Sequence, residues 1–480
     1  MFDVIIIGAG IVGCFIAKDL SRYDLKVLVL EKGNDVAIGA TMANSAIIHS
    51  GHDPLDGTLK AKLNLEGNKM YESICKELNC SFNRIGAYVL ATSDEEVEQL
   101  NLLFKRAQSR DIPCVLHNKD EIKKHEPHVS DEVVLGLWLP STGIIYPWEV
   151  AIACMEQAIL HGVELKLNQE VIDFKKEDIY QVITSNNKYQ TKCIVNCAGV
   201  YADEIYKMID PSINFSITAR KGEYFVLDHL QQPLVHHVIY PVPSSKGKGV
   251  LIVPTTHGNT LLGPTSFEID DKSAINNTHA GLNYVKNQVG KLIDHIPFDK
   301  VIRTFAGNRP TGTTHDFIIE EAKLFPDFYN VAAIESPGLA SAPAISKMVV
   351  SMYVNKHNPE EKKEYVINAN HDPKLNELTI EEKNEFVKKN PQYGRMICRC
   401  EKITEGEIVD AIHRPCGATT IKGVKKRVRP GMGRCQGGFC EPLVLDILAR
   451  ELHKTKEEIL LDDLGSNLLV ERTKHDDEES

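Results

Sequence analysis

The sequence predicts an α/β protein: a parallel sheet assembled from segments far apart in the chain, a second sheet-rich region inserted between them, and a small unit near the C-terminus. Three patterns carry that expectation. The chain begins with an apolar run, Asp3-Val-Ile-Ile-Ile7, then the turn Gly8-Ala-Gly10-Ile-Val-Gly13, then Phe15, Ile16 and Leu20 at helical spacing, then Lys26-Val-Leu-Val-Leu30. Strand, turn, helix, strand is a βαβ beginning and predicts parallel pairing. Buried-strand runs return at 193–198 and 329–334, the latter followed by Glu335-Ser-Pro-Gly338 and a small-residue helix. Between about 135 and 270, short β-rich runs with turns dominate: Ile144-Ile145, Val171-Ile172, Tyr224-Phe-Val-Leu227, Gly249-Val-Leu-Ile-Val253 and Thr260-Leu-Leu262. Residues 65–130 read as mainly helical, with 95–108 an exposed helix. Residues 355–392 turn polar and read as a linker, and 476–480 as an acidic tail.

A chain of 480 residues has room for two or three domains. Its 42% hydrophobic and 25% charged content is that of a folded globular protein, not a disordered or membrane-embedded one. A net charge of -11 disfavours wholesale nucleic-acid binding, although a local Lys/Arg cluster can still hold a small anion. Twelve cysteines are too dilute for a disulfide scaffold, Met1-Phe2-Asp3-Val4 lacks the positive start of a secretory signal, and no apolar run reaches membrane-spanning length. A reducing cytoplasmic setting is expected, with peripheral attachment to the inner face of a membrane left open.

In Gly8-x-Gly10-x-x-Gly13 the first glycine permits a tight turn, the second lets a pyrophosphate approach the backbone, and the third lets helix and strand pack closely. The helix start offers N–H groups to phosphates, and Glu31 ends the next strand, placed for ribose hydroxyls. The combination points to dinucleotide binding rather than a turn that merely packs. It does not separate NAD from FAD.

Four cysteines crowd the last hundred residues as Cys398-Arg-Cys400 and Cys435-Gln-Gly-Gly-Phe-Cys440. Four thiolates on two loops can hold a [2Fe–2S] cluster, with Gly431, Gly433, Gly437 and Gly438 letting N–H groups reach the sulfurs. Zinc is the chemical competitor, but its knuckles favour C-x2-4-C and C-x-C fits poorly. Lys422, Lys425, Lys426, Arg427, Arg429 and Arg434 are expected to offset the cluster's charge, or else to line a solvated strand. Cys416 stands outside the two pairs.

Five separated motifs occur in order: Gly39-Ala-Thr-Met-Ala-Asn-Ser45-Ala-Ile-Ile-His49-Ser-Gly51, Val195-Asn-Cys-Ala-Gly199-Val-Tyr-Ala-Asp203, Arg220-Lys-Gly-Glu-Tyr224, Phe305-Ala-Gly-Asn-Arg-Pro310 and Ser336-Pro-Gly-Leu339. Together they resemble the FAD-dependent D-amino-acid oxidase superfamily, in its glycerol-3-phosphate oxidase/dehydrogenase branch, with L-2-hydroxyglutarate oxidases close by. Residues 395–450 resemble the bacterioferritin-associated-ferredoxin-like [2Fe–2S] domain. The implied architecture is a Rossmann-like FAD-binding domain (about 1–80, 150–205 and 300–350) with an inserted antiparallel-sheet substrate domain (about 81–149 and 206–299). A polar linker (351–394), a [2Fe–2S] domain (395–470) and the tail (471–480) follow.

Carried over position by position, the resemblance implies FAD contacts from Gly8, Gly10, Val12, Gly13, Glu31, Thr41, Asn44 and Ser45, from Val171 near the adenine, and from Gly338 and Leu339 near the isoalloxazine pyrimidine. A helix start at Gly338 suits the negative charge of a reduced flavin. It implies His49 as the base that takes the substrate hydroxyl proton, a role histidine fills at neutral pH, with His52 the fallback. It implies Ser45, Lys248, Arg309 and Ser336 as substrate contacts, Arg309 because a guanidinium fork binds oxyanions bidentately; Lys246 neighbours Lys248. The expected reaction is oxidation of sn-glycerol 3-phosphate to dihydroxyacetone phosphate, electrons leaving through the cluster to a redox partner protein or quinone instead of oxygen. The alternatives are an L-2-hydroxyglutarate dehydrogenase and a non-catalytic electron-transfer subunit.

Overall fold

The computed structural model describes residues 1–243, 249–367 and 375–471. The chain falls into two compact units, 1–32 with 36–369 and 33–35 with 370–480.

The first unit holds two large sheets. In the first, β1 (Phe2–Ile7) lies between β2 (Val27–Leu30) and the strand Lys188–Asn196, parallel to both. Glu164–Lys166 extends the parallel set beyond β2, and Phe328–Ala332 extends it beyond Lys188–Asn196, with Asn196 opposite Asn330. A sheet covered on both faces needs apolar residues at consecutive positions, and Val4 to Ile7 are at most 5% exposed. The hairpin Val171–Lys176 with Tyr180–Thr184 and the strand Ile318–Glu321 add antiparallel edges. Helix α1 (Ile11–Leu20) packs against the helices Pro147–Leu160 and Gly338–His357. Helix α2 (Leu59–Glu77) packs on Gly338–His357 so tightly that a Cβ on Gly67 would meet the Ala340 carbonyl oxygen at 2.1 Å.

The second sheet has nine strands among the described residues. Its spine is the antiparallel pair Ile217–Leu227 and Val301–Gly312, with Arg220 opposite Arg309, Gly222 opposite Gly307 and Tyr224 opposite Phe305. These six share one face because side chains alternate along a strand. The sheet is antiparallel except where Val238–Pro241 runs parallel to Ala87–Ala91, a pair joined by a long connection instead of a hairpin. Two segments differ from expectation. Residues 65–130, read as helical, contain the strands Ala87–Ala91 and Val115–Asn118. Ala87-Tyr-Val-Leu-Ala91 is apolar at every position, and such a run carries no period to tell strand from helix. Val301–Gly312, expected to begin a cofactor segment, belongs to the second sheet. The expected helix is present at Asp94–Ser109, with Leu100, Leu103 and Ala107 buried.

The second unit packs the helices Glu405–His413, Ile421–Val428 and Glu441–Glu451 around Ile408, Val424, Val444 and Leu448, beside a short antiparallel pair, Met396–Cys398 and Ile403–Thr404. The basic run is helical, not a strand, and carboxylates take up much of its charge: Lys422 pairs with Asp462, Lys426 and Arg427 with Asp35, and Arg429 with Glu401. The polar linker contains the helix Ile380–Lys389, opened by a Thr379–Glu382 capping box. Among the described residues no helix is long and apolar enough to cross a membrane.

Candidate functional site

The glycine turn joins β1 to α1. Gly8 has φ +101, and a Cβ there would lie 2.5 Å from the Cys197 carbonyl oxygen; one on Gly13 would lie 2.0 Å from the Gly8 oxygen. Only glycine allows that strand–turn–helix closeness. A Cβ on Gly10 would meet only Thr41 Oγ1, at 3.3 Å, so this turn keeps open space where a pyrophosphate would approach. Helix α1 starts at Ile11 with no side-chain cap from Gly10, and Thr41 Oγ1 accepts the Ile11 N–H at 2.9 Å. Glu31 accepts the Ala9 N–H at 2.8 Å, which brings the acid against the turn. Its main-chain oxygen accepts the Gln169 N–H, setting 169–171 beside it; Val171, 5% exposed, packs with Ile5, Ile7, Leu28 and Leu30. The structure thus joins Gly8, Gly10, Val12, Gly13, Glu31, Thr41 and Val171 around one end of the first sheet. Asn44 donates to the Ala40 and Thr41 carbonyls and accepts the Ala46 N–H, folding the 39–46 segment onto itself.

Gly338 and Leu339 open the helix Gly338–His357, and the fully buried Tyr71 of α2 donates to the Leu339 carbonyl. One residue ahead of Ser336, Glu335 is braced by Lys60 Nζ at 2.7 Å and Thr311 Oγ1 at 2.8 Å. Burial, the largest single influence, acts to raise the Glu335 carboxyl, but Lys60, the Thr311 hydroxyl and Arg220 together hold the group below its ordinary value.

Ser45 Oγ and Tyr224 Oη are 3.1 Å apart, and Tyr224 stacks on Phe305 with centroids at 4.5 Å. Arg309 lies on the same sheet face and donates from Nη2 to the Thr265 carbonyl at 2.7 Å. A Cβ on Gly222 would stand 3.0 Å from its Nη1, so a glycine makes room for the guanidinium. Burial and the neighbouring Arg220 bear against its charge, whereas Tyr224 and Glu335 support it. His49 borders a cavity lined also by His52, Asp53, Val89, Tyr240, Pro241 and Pro243. Its Nδ1 lies 3.0 Å from Tyr240 Oη, and its carbonyl accepts from Asn64 and Asn68 of α2, at 2.8 and 3.0 Å. Asn64 and Asn68 are one helical turn apart, so α2 pins the His49 backbone from a single face. His52 Nδ1 is engaged by Ser50 Oγ at 2.8 Å. Lys248 and its neighbour Lys246 lie outside the described residues.

Tyr224, Phe305, Tyr240, Asn64, Asn68, Thr265 and Glu335 were not singled out from sequence. Tyr224 and Phe305 stand inside the motifs quoted above, Glu335 opens the segment Glu335-Ser-Pro-Gly338, and Thr265 ends the hairpin segment 255–265; Tyr240, Asn64 and Asn68 carry no local signal.

In the second unit the thiols form two pairs. Cys400 and Cys435 have their sulfurs 3.9 Å apart, and Cys398 is hydrogen-bonded to Cys440. Among the described residues no three His, Cys, Asp or Glu side chains converge as one mononuclear site requires. Cys398, Cys400, Cys435 and Cys440 would hold a [2Fe–2S] cluster, which would supply one-electron transfer there. The Cys440 thiol, then the Gly431 and Glu401 N–H groups, lower Cys398 to about 6 against the effect of burial. Burial opposes ionisation of Cys435 too, but N–H groups of Gly437 and Phe439 lower it. Gly431 (φ +81) and Gly437 (φ +97) direct their N–H groups to Cys398 and Cys435. Gly433 has another role: its Cβ would lie 2.3 Å from Cys400 Cβ. Cys416 is buried beside Arg427, apart from both pairs.

A dinucleotide cradle, an imidazole facing a cavity and a two-pair thiolate site define a redox enzyme carrying an organic cofactor and a cluster. Residues 3–352 match the family described as FAD dependent oxidoreductase, and residues 396–450 the BFD-like [2Fe-2S] binding domain. The chain belongs to the FAD dependent oxidoreductase family, with FAD and a [2Fe–2S] cluster as cofactors. It is 47% identical over 477 residues to the glycerol 3-phosphate dehydrogenase of Caloramator mitchellensis, covering 99% of each chain. It is 30% identical over 272 residues to the L-2-hydroxyglutarate dehydrogenase of Escherichia coli strain K12, covering 55% of this chain and 64% of that one. The L-alpha-glycerophosphate oxidase of Mycoplasma pneumoniae, solved dithionite-reduced with FAD bound, has TM-score 0.74 and 30% identity, covering 78% of this chain and 99% of that one.

Proposed function

We propose that the protein is an sn-glycerol-3-phosphate dehydrogenase that yields dihydroxyacetone phosphate and passes its electrons through the [2Fe–2S] domain to a partner protein or quinone. The observation that carries the reading is the 47% identity to a glycerol 3-phosphate dehydrogenase, which runs through both the flavin and the cluster units. Bound FAD supplies a two-electron acceptor for the carbinol hydride, and a bound [2Fe–2S] cluster supplies a one-electron carrier.

The chain's own residues do the rest. Arg309, fixed by the Thr265 carbonyl, offers the remaining edge of its guanidinium to the substrate phosphate, with Ser45 and Ser336 as polar contacts. Lys248 is the fourth expected contact. His49 takes the hydroxyl proton as hydride leaves the same carbinol, so two electrons and two protons are accounted for. Tyr224, stacked on Phe305 and hydrogen-bonded to Ser45, keeps that wall rigid.

Anaerobic mixing with sn-glycerol 3-phosphate, and separately with L-2-hydroxyglutarate, tests the reading. Flavin bleaching by the phosphate ester alone supports it; bleaching by the hydroxy acid alone would make the protein a 2-hydroxy-acid dehydrogenase. Bleaching by neither would leave an electron-transfer subunit.

A further inference from the structure

We infer that Tyr240 is a positioning residue for proton transfer: its phenol oxygen accepts the Nδ1–H of His49 and thereby holds the imidazole in the tautomer whose Nε2 can take the substrate proton. The inference rests on His49 being the base. Its observations are the 3.0 Å contact between His49 Nδ1 and Tyr240 Oη and the placement of both rings on one cavity wall.

An imidazole has two nitrogens, and in the neutral ring one carries hydrogen while the other accepts. If the phenol donated to Nδ1, the ring hydrogen would sit on Nε2 and that nitrogen would have no lone pair for a substrate hydroxyl. A base working through Nε2 therefore requires the reverse polarity, with Nδ1–H donating and the phenol oxygen accepting. After proton uptake the ring is cationic and the same Nδ1–H bond becomes charge-assisted, so the phenol favours the product side of the transfer as well.

The surroundings allow this polarity. Tyr240 is 4% exposed in the strand Val238–Pro241, and burial together with the nearby Asp53 charge raises its phenol well above the ordinary value. It stays a neutral hydroxyl and does not compete for the proton. A neutral hydroxyl can accept the Nδ1–H through its oxygen lone pairs. Among the described residues, the other titratable or charged groups around the segment include His52, whose ring meets Tyr240 edge-on at 6.2 Å, and Arg106 and Arg110, which donate to the Asp53 and Gly51 carbonyls. The main chain at His49 is fixed by Asn64 and Asn68, and Tyr240 Oη is a partner of the ring at Nδ1.

The experiment uses the FAD-loaded full chain with sn-glycerol 3-phosphate in anaerobic stopped flow across pH, for the natural protein, Tyr240→Phe and His49→Asn. Tyr240→Phe is expected to lower the limiting rate of flavin reduction ~10- to 100-fold. It should move the acid limb of the pH profile to lower pH, and leave the substrate concentration for half-maximal rate unchanged. Two-bond 1H–15N correlation on histidine-labelled oxidised protein, with the His49 signal identified by its loss in His49→Asn, is expected to find hydrogen on Nδ1. Hydrogen on Nε2 alone overturns the inference whether or not the Phe variant assembles. So does a Tyr240→Phe protein that keeps its rate and pH profile while His49→Asn is inactive. Near-normal reduction in His49→Asn would instead remove the base assignment on which the inference stands.

Discussion

Gly307 and Ala43 lie so close that a Cβ on the glycine would stand 2.4 Å from the Ala43 carbonyl oxygen and 2.5 Å from its methyl. The long strand Val301–Gly312 thus backs the segment that carries Thr41, Asn44 and Ser45, which also meets the second sheet through the Ser45–Tyr224 hydrogen bond.

Gly307→Ala forces that segment off the strand, because both clashing atoms belong to residue 43 and neither can rotate away. Overpacking of this kind costs about 1–3 kcal/mol. If it falls on the Thr41–Asn44 edge, FAD binding weakens roughly tenfold or more. Fluorescence titration of apoprotein with FAD reads the change, and an unaltered dissociation constant would show that the segment does not touch the cofactor.

Glu335 and Lys60 form an ion pair at 2.7 Å with side chains 14% and 13% exposed. Glu335→Gln leaves the lysine buried without its counter-charge, and about 3 kcal/mol of stability should be lost at neutral pH. The folded carboxyl titrates below its ordinary value of 4.5, so its contribution is complete above that value and is lost as pH falls through the lowered one. Denaturation of the two proteins across pH should therefore find their stabilities converging on acidification. A gap of constant size would contradict the pairing.

If Cys398, Cys400, Cys435 and Cys440 hold the cluster, serine at any of them should lower iron and acid-labile sulfide together. Cys416→Ser should retain both. Zinc without sulfide in the natural protein would overturn the cluster assignment.

Arg309→Lys keeps a positive charge but loses the planar fork that bonds Thr265 on one edge and can meet an oxyanion on the other. Substrate affinity should fall roughly tenfold, and roughly a hundredfold in Arg309→Leu, by the usual worth of charge-assisted hydrogen bonds. FAD content should not change. Equal affinity in all three proteins would place the anion elsewhere.

What the sequence made readable was contiguous. The turn Gly8 to Gly13 and the spacing of the four cysteines are local patterns whose chemistry follows from residue type; the turn stands in the structure as expected, and the cysteines stand there as two close pairs. Tyr240 reaches His49 across about 190 residues, and Asn64, Asn68 and Glu335 act through long-range hydrogen bonds; common residue types give no sign of such partners. The basic run was legible as charge within a helical-looking segment, but its ion pairs with Asp35, Glu401 and Asp462 form only in the fold. The strand Ala87–Ala91 escaped because it is apolar throughout.

The central claim is that a flavin site and a cluster site in this chain serve oxidation of one phosphorylated alcohol. Anaerobic titration of the fully loaded protein with sn-glycerol 3-phosphate, followed by visible absorption and by electron paramagnetic resonance, tests it most directly. The account predicts bleaching of the flavin band, appearance of the reduced-cluster signal, and dihydroxyacetone phosphate formed in step with the electrons stored. A flavin that stays oxidised under excess glycerol 3-phosphate, while dithionite reduces both centres, would contradict it.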